Sequence, residues 1–288
     1  MNNQAHPSPG VLPNFLIPGA AKAGTSTLFY YLKQHPDVFM RYKEPRFFSD
    51  NWELGPEFYS RCFKGYQGQK MIGEATPRYM RHPESAARIK SLIPNVKLIF
   101  TLRDPVKRAV SHYWMRMNKR LESRSFDEVI RGGRTEFPID YGLYYTHLRR
   151  FLDLFPREQI YINLMEEMKV DFKSSLVRIF NFLNLEACDI KDEGAKNVAT
   201  MFRSRSLDSL IRKVRAAKRL KRMIPSSIRS WGARIWKLNV MESFKAPDLT
   251  NDQRRYLEEI FLPEIEGLEK MMGMDLSLWK KNYISLKR

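Results

Sequence analysis

The chain has 288 residues, of which 43% are apolar, 12% aromatic and 28% charged, a globular composition that excludes a fibrous repeat or bulk disorder. No apolar run approaches the roughly 20 residues that cross a bilayer, and the opening MNNQAHPSPG has neither the basic nor the apolar region of a secretory signal. Fifty Lys and Arg against 32 Asp and Glu leave a formal charge of +18, which calls for an anionic partner without naming it. Two cysteines, Cys62 and Cys188, make neither a disulfide framework nor a four-cysteine metal site. The expectation is a reducing, cytoplasmic setting. Residues 1–12 read as a disordered tail and 13–288 as a single domain, since no linker or internal repeat divides them.

Short β-rich runs alternate with helical patterns through the first half, which predicts an α/β fold with a parallel sheet and helices on both faces. Phe15-Leu16-Ile17 reads as a strand that ends at Pro18-Gly19, and a helix follows from Ser26 and stops before Pro36. Met71-Ile72-Gly73 is a second strand, and Pro83 opens a helix through ESAARIKSLI. Val96 to Leu102 is the clearest strand, followed by Arg103-Asp104-Pro105 and a helix to about Asn118. Leu148, Phe151, Leu152 and Phe155 repeat with helical spacing, and QIYINL at 159–164 is the next strand. Thr250 and Gln253 form a capping-box pattern for a helix that turns Leu257, Ile260 and Phe261 inward and is kinked or ended by Pro263.

The segment Gly19-Ala-Ala-Lys22-Ala23-Gly24-Thr25-Ser26-Thr27 lies between the first strand and its helix. Loop and helix-start N–H groups there converge on a spot where the helix dipole favours an anion. Lys22 adds a point charge and residues 25–27 add hydroxyls. The spacing is close to GxxxxGK[ST], but Thr25 stands where that motif has its lysine, which disfavours an ATP- or GTP-hydrolysing site. A glycine turn that merely packs helix on sheet is the plain alternative. Farther along, a strand ends at Arg103-Asp104-Pro105 and Ser111 lies on the helix that follows. Taken alone, Asp104 there is also a simple helix cap.

These segments resemble the PAPS-dependent sulfotransferases, in particular the heparan-sulfate-like and bacterial members. PNFLIPGAAKAGTSTLFYYL resembles the family's 5′-phosphosulfate loop, KLIFTLRDPVKRAVSHYWM its 3′-phosphate signature, and RYKEPRFFSDNW the segment that carries its catalytic glutamate. GLYYTHLRRFLDLFPREQIYINLMEEM and LEKMMGMDLSLWKK resemble later family segments, so the likeness covers most of 13–190 and about 248–281. It implies a P-loop-like α/β domain that moves a sulfuryl group from 3′-phosphoadenosine-5′-phosphosulfate (PAPS) to a hydroxyl or amine, with no metal. Lys22, Ala23, Gly24, Thr25, Ser26 and Thr27 would hold the 5′-phosphosulfate, with Lys22 facing the leaving group. Arg103 and Ser111 would hold the 3′-phosphate. Glu44 would be the base, with Glu74 as its rival.

Several departures matter. Pro18 replaces a β-branched residue, Ser26-Thr27 reverses the commoner order, and Ala75 stands where heparan-type relatives carry lysine. Arg46 occupies the place of a histidine; arginine cannot relay a proton at neutral pH, so it is assigned with Glu74 and Arg78 to acceptor binding. His112 is the one histidine near these motifs, and packing suits it better than chemistry.

Between 201 and 237 stand twelve Lys or Arg and a single acid, Asp208. This stretch reads as a lid whose Arg203 and Ser204 reach the 3′-phosphate, as a helix on an anionic membrane surface, as a groove for an acidic glycan, or as a solvated cationic face. Nucleic acid is not expected, because no stacking platform accompanies the charge. Two other functions stay open: a small-molecule kinase on the same fold, and a non-catalytic nucleotide-dependent protein held at anionic surfaces, possible at the inner membrane face. The acceptor has no readable signature.

Overall fold

The computed structural model describes residues 10–191, 201–202, 240–241, 246–281 and 283. Its frame alternates strands and helices: β1 (Phe15–Gly19), α1 (Thr25–Leu32), β2 (Val38–Phe39), α2 (Gly55–Arg61), β3 (Met71–Ala75), α3 (Ser85–Leu92), β4 (Lys97–Leu102) and α4 (Pro105–Asn118). There follow α5 (Phe126–Arg131), α6 (Phe137–Asp140), α7 (Tyr144–Leu152), β5 (Ile160–Leu164), α8 (Met165–Val170) and α9 (Phe172–Leu183). A two-residue ladder pairs β6 (Met201–Phe202) with β7 (Val240–Met241), and α10 (Asn251–Met272) and α11 (Ser277–Lys280) come last. Five parallel strands form one sheet in the order β2-β3-β1-β4-β5.

Both faces of this sheet are covered, as an all-parallel sheet requires, and the side chains of its central strands divide between two cores with period two. Leu16, Leu98, Phe100 and Leu102 join Ile89 of α3, Val106 of α4, Leu148 and Phe151 of α7, and Leu257 and Phe261 of α10. Phe15, Ile17 and Ile99 face the other way, onto Leu28 and Leu32 of α1 and Ile179, Phe180 and Leu183 of α9. Asn14 sets the register at the strand entrance. Its amide donates to the Lys70 carbonyl at 2.9 Å and accepts the Ile72 N–H at 2.8 Å, while its backbone carbonyl accepts the Lys97 N–H at 2.9 Å.

Three expectations change. β1 continues through Pro18 to Gly19, because the Pro18 carbonyl is still used, accepting the Met80 N–H at 2.8 Å. α10 runs unbroken through Pro263, held by Phe261, Ile265 and Leu268 in the core. α3 starts at Ser85, two residues after Pro83. Of the expected tail at 1–12, residues 1–9 lie outside the described residues, as do residues 203–237 of the basic stretch at 201–237, with Arg203 and Ser204.

Gly73 faces Phe15 across the β1–β3 ladder, where a Cβ would sit 2.2 Å from the Phe15 ring. Overpacking of this kind costs about 1–3 kcal/mol. Gly73→Ala is therefore expected to lower the free energy of urea unfolding by that margin, and an unchanged midpoint would show that the Phe15 ring moves freely.

Candidate active site

The site lies at the C-terminal ends of β1, β3 and β4, the edge where open α/β sheets bind ligands. Ala20 N–H donates to the Thr101 carbonyl at 2.7 Å, tying the exit of β1 to the end of β4. The chain then turns through Lys22 and Gly24, at φ values of 71° and 93°. Gly24 is the N-cap of α1, and no side chain accepts a hydrogen bond from the N–H groups of that cap. The first turn of α1 therefore keeps its orphan donors for an incoming anion. α4 differs: Asp104 accepts from Val106 N–H at 2.9 Å and Lys107 N–H at 3.2 Å, so an anion near α4 must be met by side chains.

Those side chains are present. Arg103 reaches back across the two strands, its Nη1 donating to the Lys22 carbonyl at 3.4 Å. Its Nε is buried with no hydrogen-bond partner among the described residues, an unused donor that fits a phosphate oxygen. Ser111 is half-buried on α4. Lys22 is half-buried, and burial together with the charges of Lys119, Arg103, Lys43 and Arg108 brings its ammonium down to about 8. Ala23 and Thr25 are buried, while Ser26 and Thr27 are half-buried on α1.

The loop carrying Glu44 lies against both the sheet and α1. Glu44 N–H donates to the Ala75 carbonyl at 3.0 Å, anchoring the loop to the end of β3. Lys43 Nζ donates to Ser26 Oγ and stands 3.7 Å from the Glu44 carboxylate. One ammonium thus links the hydroxyl of the phosphate loop to the candidate base. Glu44 and Arg46 both hold left-handed backbone, φ 59° and 55°, a conformation uncommon outside glycine that marks constrained sites. Glu44 is exposed, and Arg46 Nη2 lies 3.5 Å from it. Arg46 also approaches Asp50 at 3.6 Å, and Asp50 pairs with Arg78 at 2.9 Å. Solvent-exposed pairs such as these hold little energy.

Glu74 behaves differently from its rival. It is 1% exposed, with Tyr59 Oη donating to one carboxylate oxygen at 3.2 Å and Thr76 Oγ1 to the other at 2.8 Å. Burial pushes its carboxyl up to about 7, against the pull of the Thr76 and Tyr59 hydroxyls and with a small push from Glu44.

Sequence reading passed over Lys43 and Arg108. Arg108 is fully buried on α4, donates to the Pro138 carbonyl and meets His112 Nδ1 at 3.1 Å. Burial lowers its guanidinium to about 10. Burial and then the Arg108 charge hold His112 far below its usual range, so His112 stays neutral and packs against Phe137 and Tyr141. Lys43 had a signal, its place directly before Glu44; Arg108 had none beyond its helical position.

Fold and site define an α/β protein with two adjacent cationic corners, candidates for anion binding, and a carboxylate beside them. A family model described as "Sulfotransferase domain" matches residues 12–274, and the chain belongs to that family. It is 33% identical over 182 residues to heparan sulfate glucosamine 3-O-sulfotransferase 3B1 of Homo sapiens, covering 61% of this chain and 47% of that protein. It is 42% identical over 117 residues to membrane-associated sulfotransferase kil1 of Dictyostelium discoideum, covering 38% of this chain and 25% of that one. Against these curated relatives the chain spans between a quarter and a half of their length. Among solved structures, a sulfotransferase from Alicyclobacillus acidocaldarius superimposes with a TM-score of 0.70 at 26% identity, covering 94% of this chain and 99% of that one.

Because folding raises the Glu74 pKa from 4.5 to about 7, the fold favours the protonated form. That contribution is complete below the unfolded value and is lost as pH rises through the folded one. Glu74→Gln mimics the protonated form. Relative to the parent, its stability is expected to improve by about 2 kcal/mol between pH 5.5 and 8.5. Urea unfolding at the two pH values measures this, and a difference independent of pH would contradict the assignment.

Proposed function

We propose that this chain transfers a sulfuryl group from PAPS to a hydroxyl or amine of a carbohydrate-containing acceptor. The observation that carries the reading is Lys43, which touches Ser26 of the phosphate loop and Glu44 together, so that donor and base share one cleft. PAPS when bound supplies an activated phosphosulfate, whose sulfur–oxygen bond to the 5′-phosphate breaks as the acceptor oxygen or nitrogen bonds to sulfur. Gly24, Thr25, Ser26 and Thr27 present donors to the 5′ phosphate, and Ala23 offers backbone only. Lys22 neutralises charge on the leaving phosphate oxygen, as preorganised cations do in phosphoryl transfer. Glu44 accepts the acceptor's proton. Arg103 and Ser111 meet the 3′-phosphate, with Arg203 and Ser204 added from the sequence reading. Arg46 and Arg78 face the acceptor, and their charge suits an anionic glycan or glycolipid.

Support for PAPS over ATP comes from two features: Thr25 at the position of the phosphate-loop lysine, and the unused Arg103 Nε donor at the second corner. A carbohydrate acceptor is supported by the likeness to the heparan sulfate glucosamine 3-O-sulfotransferases. No helix among the described residues is long and apolar enough to cross a membrane. A cytoplasmic site of action, with contact to an anionic surface through 201–237, rests on composition and on the twelve basic residues of that stretch.

The test is transfer of labelled sulfate from PAPS to a panel of hydroxyl- and amine-bearing glycans. Glu44→Gln is expected to lower kcat by roughly 10²–10⁴-fold while leaving the affinity for adenosine 3′,5′-bisphosphate within about twofold. Full activity in Glu44→Gln would remove it as base, and phosphate transfer from ATP would favour the kinase.

A further inference from the structure

The peptide group between Arg103 and Asp104 is held at both ends. Its carbonyl, belonging to Arg103, accepts the Tyr144 hydroxyl of α7 at 2.8 Å. Its N–H, belonging to Asp104, donates to Glu166 Oε1 of α8 at 3.1 Å. The other oxygen of Glu166 is taken in turn, accepting the indole Nε1–H of Trp279 in α11 at 3.1 Å. Tyr144 and Trp279 are buried, 1% and 2% exposed, with ring centroids 6.0 Å apart.

A backbone peptide group has one donor and one acceptor. With both taken by side chains from other elements, the plane cannot swing, and the backbone torsions on its two sides are fixed. One of those torsions sets the direction in which the Arg103 side chain leaves the chain. Asp104 then fixes the next turn by capping α4. A simple helix cap needs only the second of these devices. The first spends three side chains, drawn from α7, α8 and α11, on a single peptide at the mouth of the nucleotide corner. Trp279 also lies beyond residue 274, where the family match ends.

We infer that Tyr144, Glu166 and Trp279 are positioning residues for 3′-phosphate recognition, clamping the Arg103–Asp104 peptide so that the Arg103 guanidinium is aimed before the nucleotide arrives. The C-terminal helix α11 is thereby part of the nucleotide site although it contacts no phosphate. The inference rests on the proposed role of Arg103.

Tyr144→Phe and Glu166→Gln each remove one link and keep the side-chain shape, and Trp279→Phe removes the indole donor and leaves a smaller ring. The full-length variants are titrated calorimetrically with adenosine 3′,5′-bisphosphate and with adenosine 5′-monophosphate, which lacks the 3′ group. Each variant is expected to bind the bisphosphate roughly tenfold more weakly and the monophosphate within about twofold of the parent. The KM for PAPS should rise while kcat holds. Equal losses for both nucleotides would mean a general packing role and would overturn the clamp, as would three variants that keep the parent's preference. A parent protein with no preference for the bisphosphate would overturn the Arg103 assignment, and the clamp with it. Should Trp279→Phe fail to fold, Glu166→Gln, nearly isosteric at a half-buried position, still decides the matter.

Discussion

Everything at the functional edge depends on β1 lying beside β4 in the same direction. Two parallel neighbours end together, so the loop that leaves β1 and the corner that leaves β4 are delivered to one place. The Ala20–Thr101 hydrogen bond and the reach of Arg103 to the Lys22 carbonyl are local consequences of that pairing. β3 on the other side of β1 brings the Ala75 carbonyl, and through it the Glu44 loop, to the same edge. Three segments distant in sequence meet because strand order leaves them no other place.

The price of this arrangement is a concentration of positive charge. Lys22, Lys43 and Arg103 crowd the cleft, and Arg108 lies fully buried behind it with no ion pair among the described residues. Burying cations without counterions is unfavourable, and the depressed Lys22 and Arg108 values express that cost. In the proposed function, a doubly phosphorylated nucleotide is what would relieve it. Glu74, one residue before the end of β3 and sealed by Tyr59 and Thr76, holds its proton to near neutrality. Glu44 and Glu74 thus differ in solvent access, the one exposed and the other buried.

Much of this was legible in the residues. The alternation of strands and helices, the boundaries of α4 and the Thr250–Gln253 capping box follow from local rules of period and end chemistry, and the structure matches them. The loop at 19–27 and the RDP corner were legible as candidates because the residues of each are contiguous. What could not be read depends on distant contacts. The burial of Glu74 is set by Tyr59 from α2, a helix in a stretch without a clear pattern. The Arg103–Asp104 clamp joins positions 103, 144, 166 and 279, which no spacing rule connects. Pro18 and Pro263 misled for a related reason: their local preferences were overridden, by strand pairing for one and by core packing for the other.

The central claim is that the two corners form a site for a nucleotide phosphorylated at both its 5′ and 3′ positions. Calorimetric titration with adenosine 3′,5′-bisphosphate, set beside ATP with magnesium, tests it most directly. Micromolar binding of the bisphosphate that is lost in Arg103→Ala, with ATP much weaker, is the result this account predicts. Tight magnesium-dependent ATP binding that is indifferent to Arg103 would contradict it.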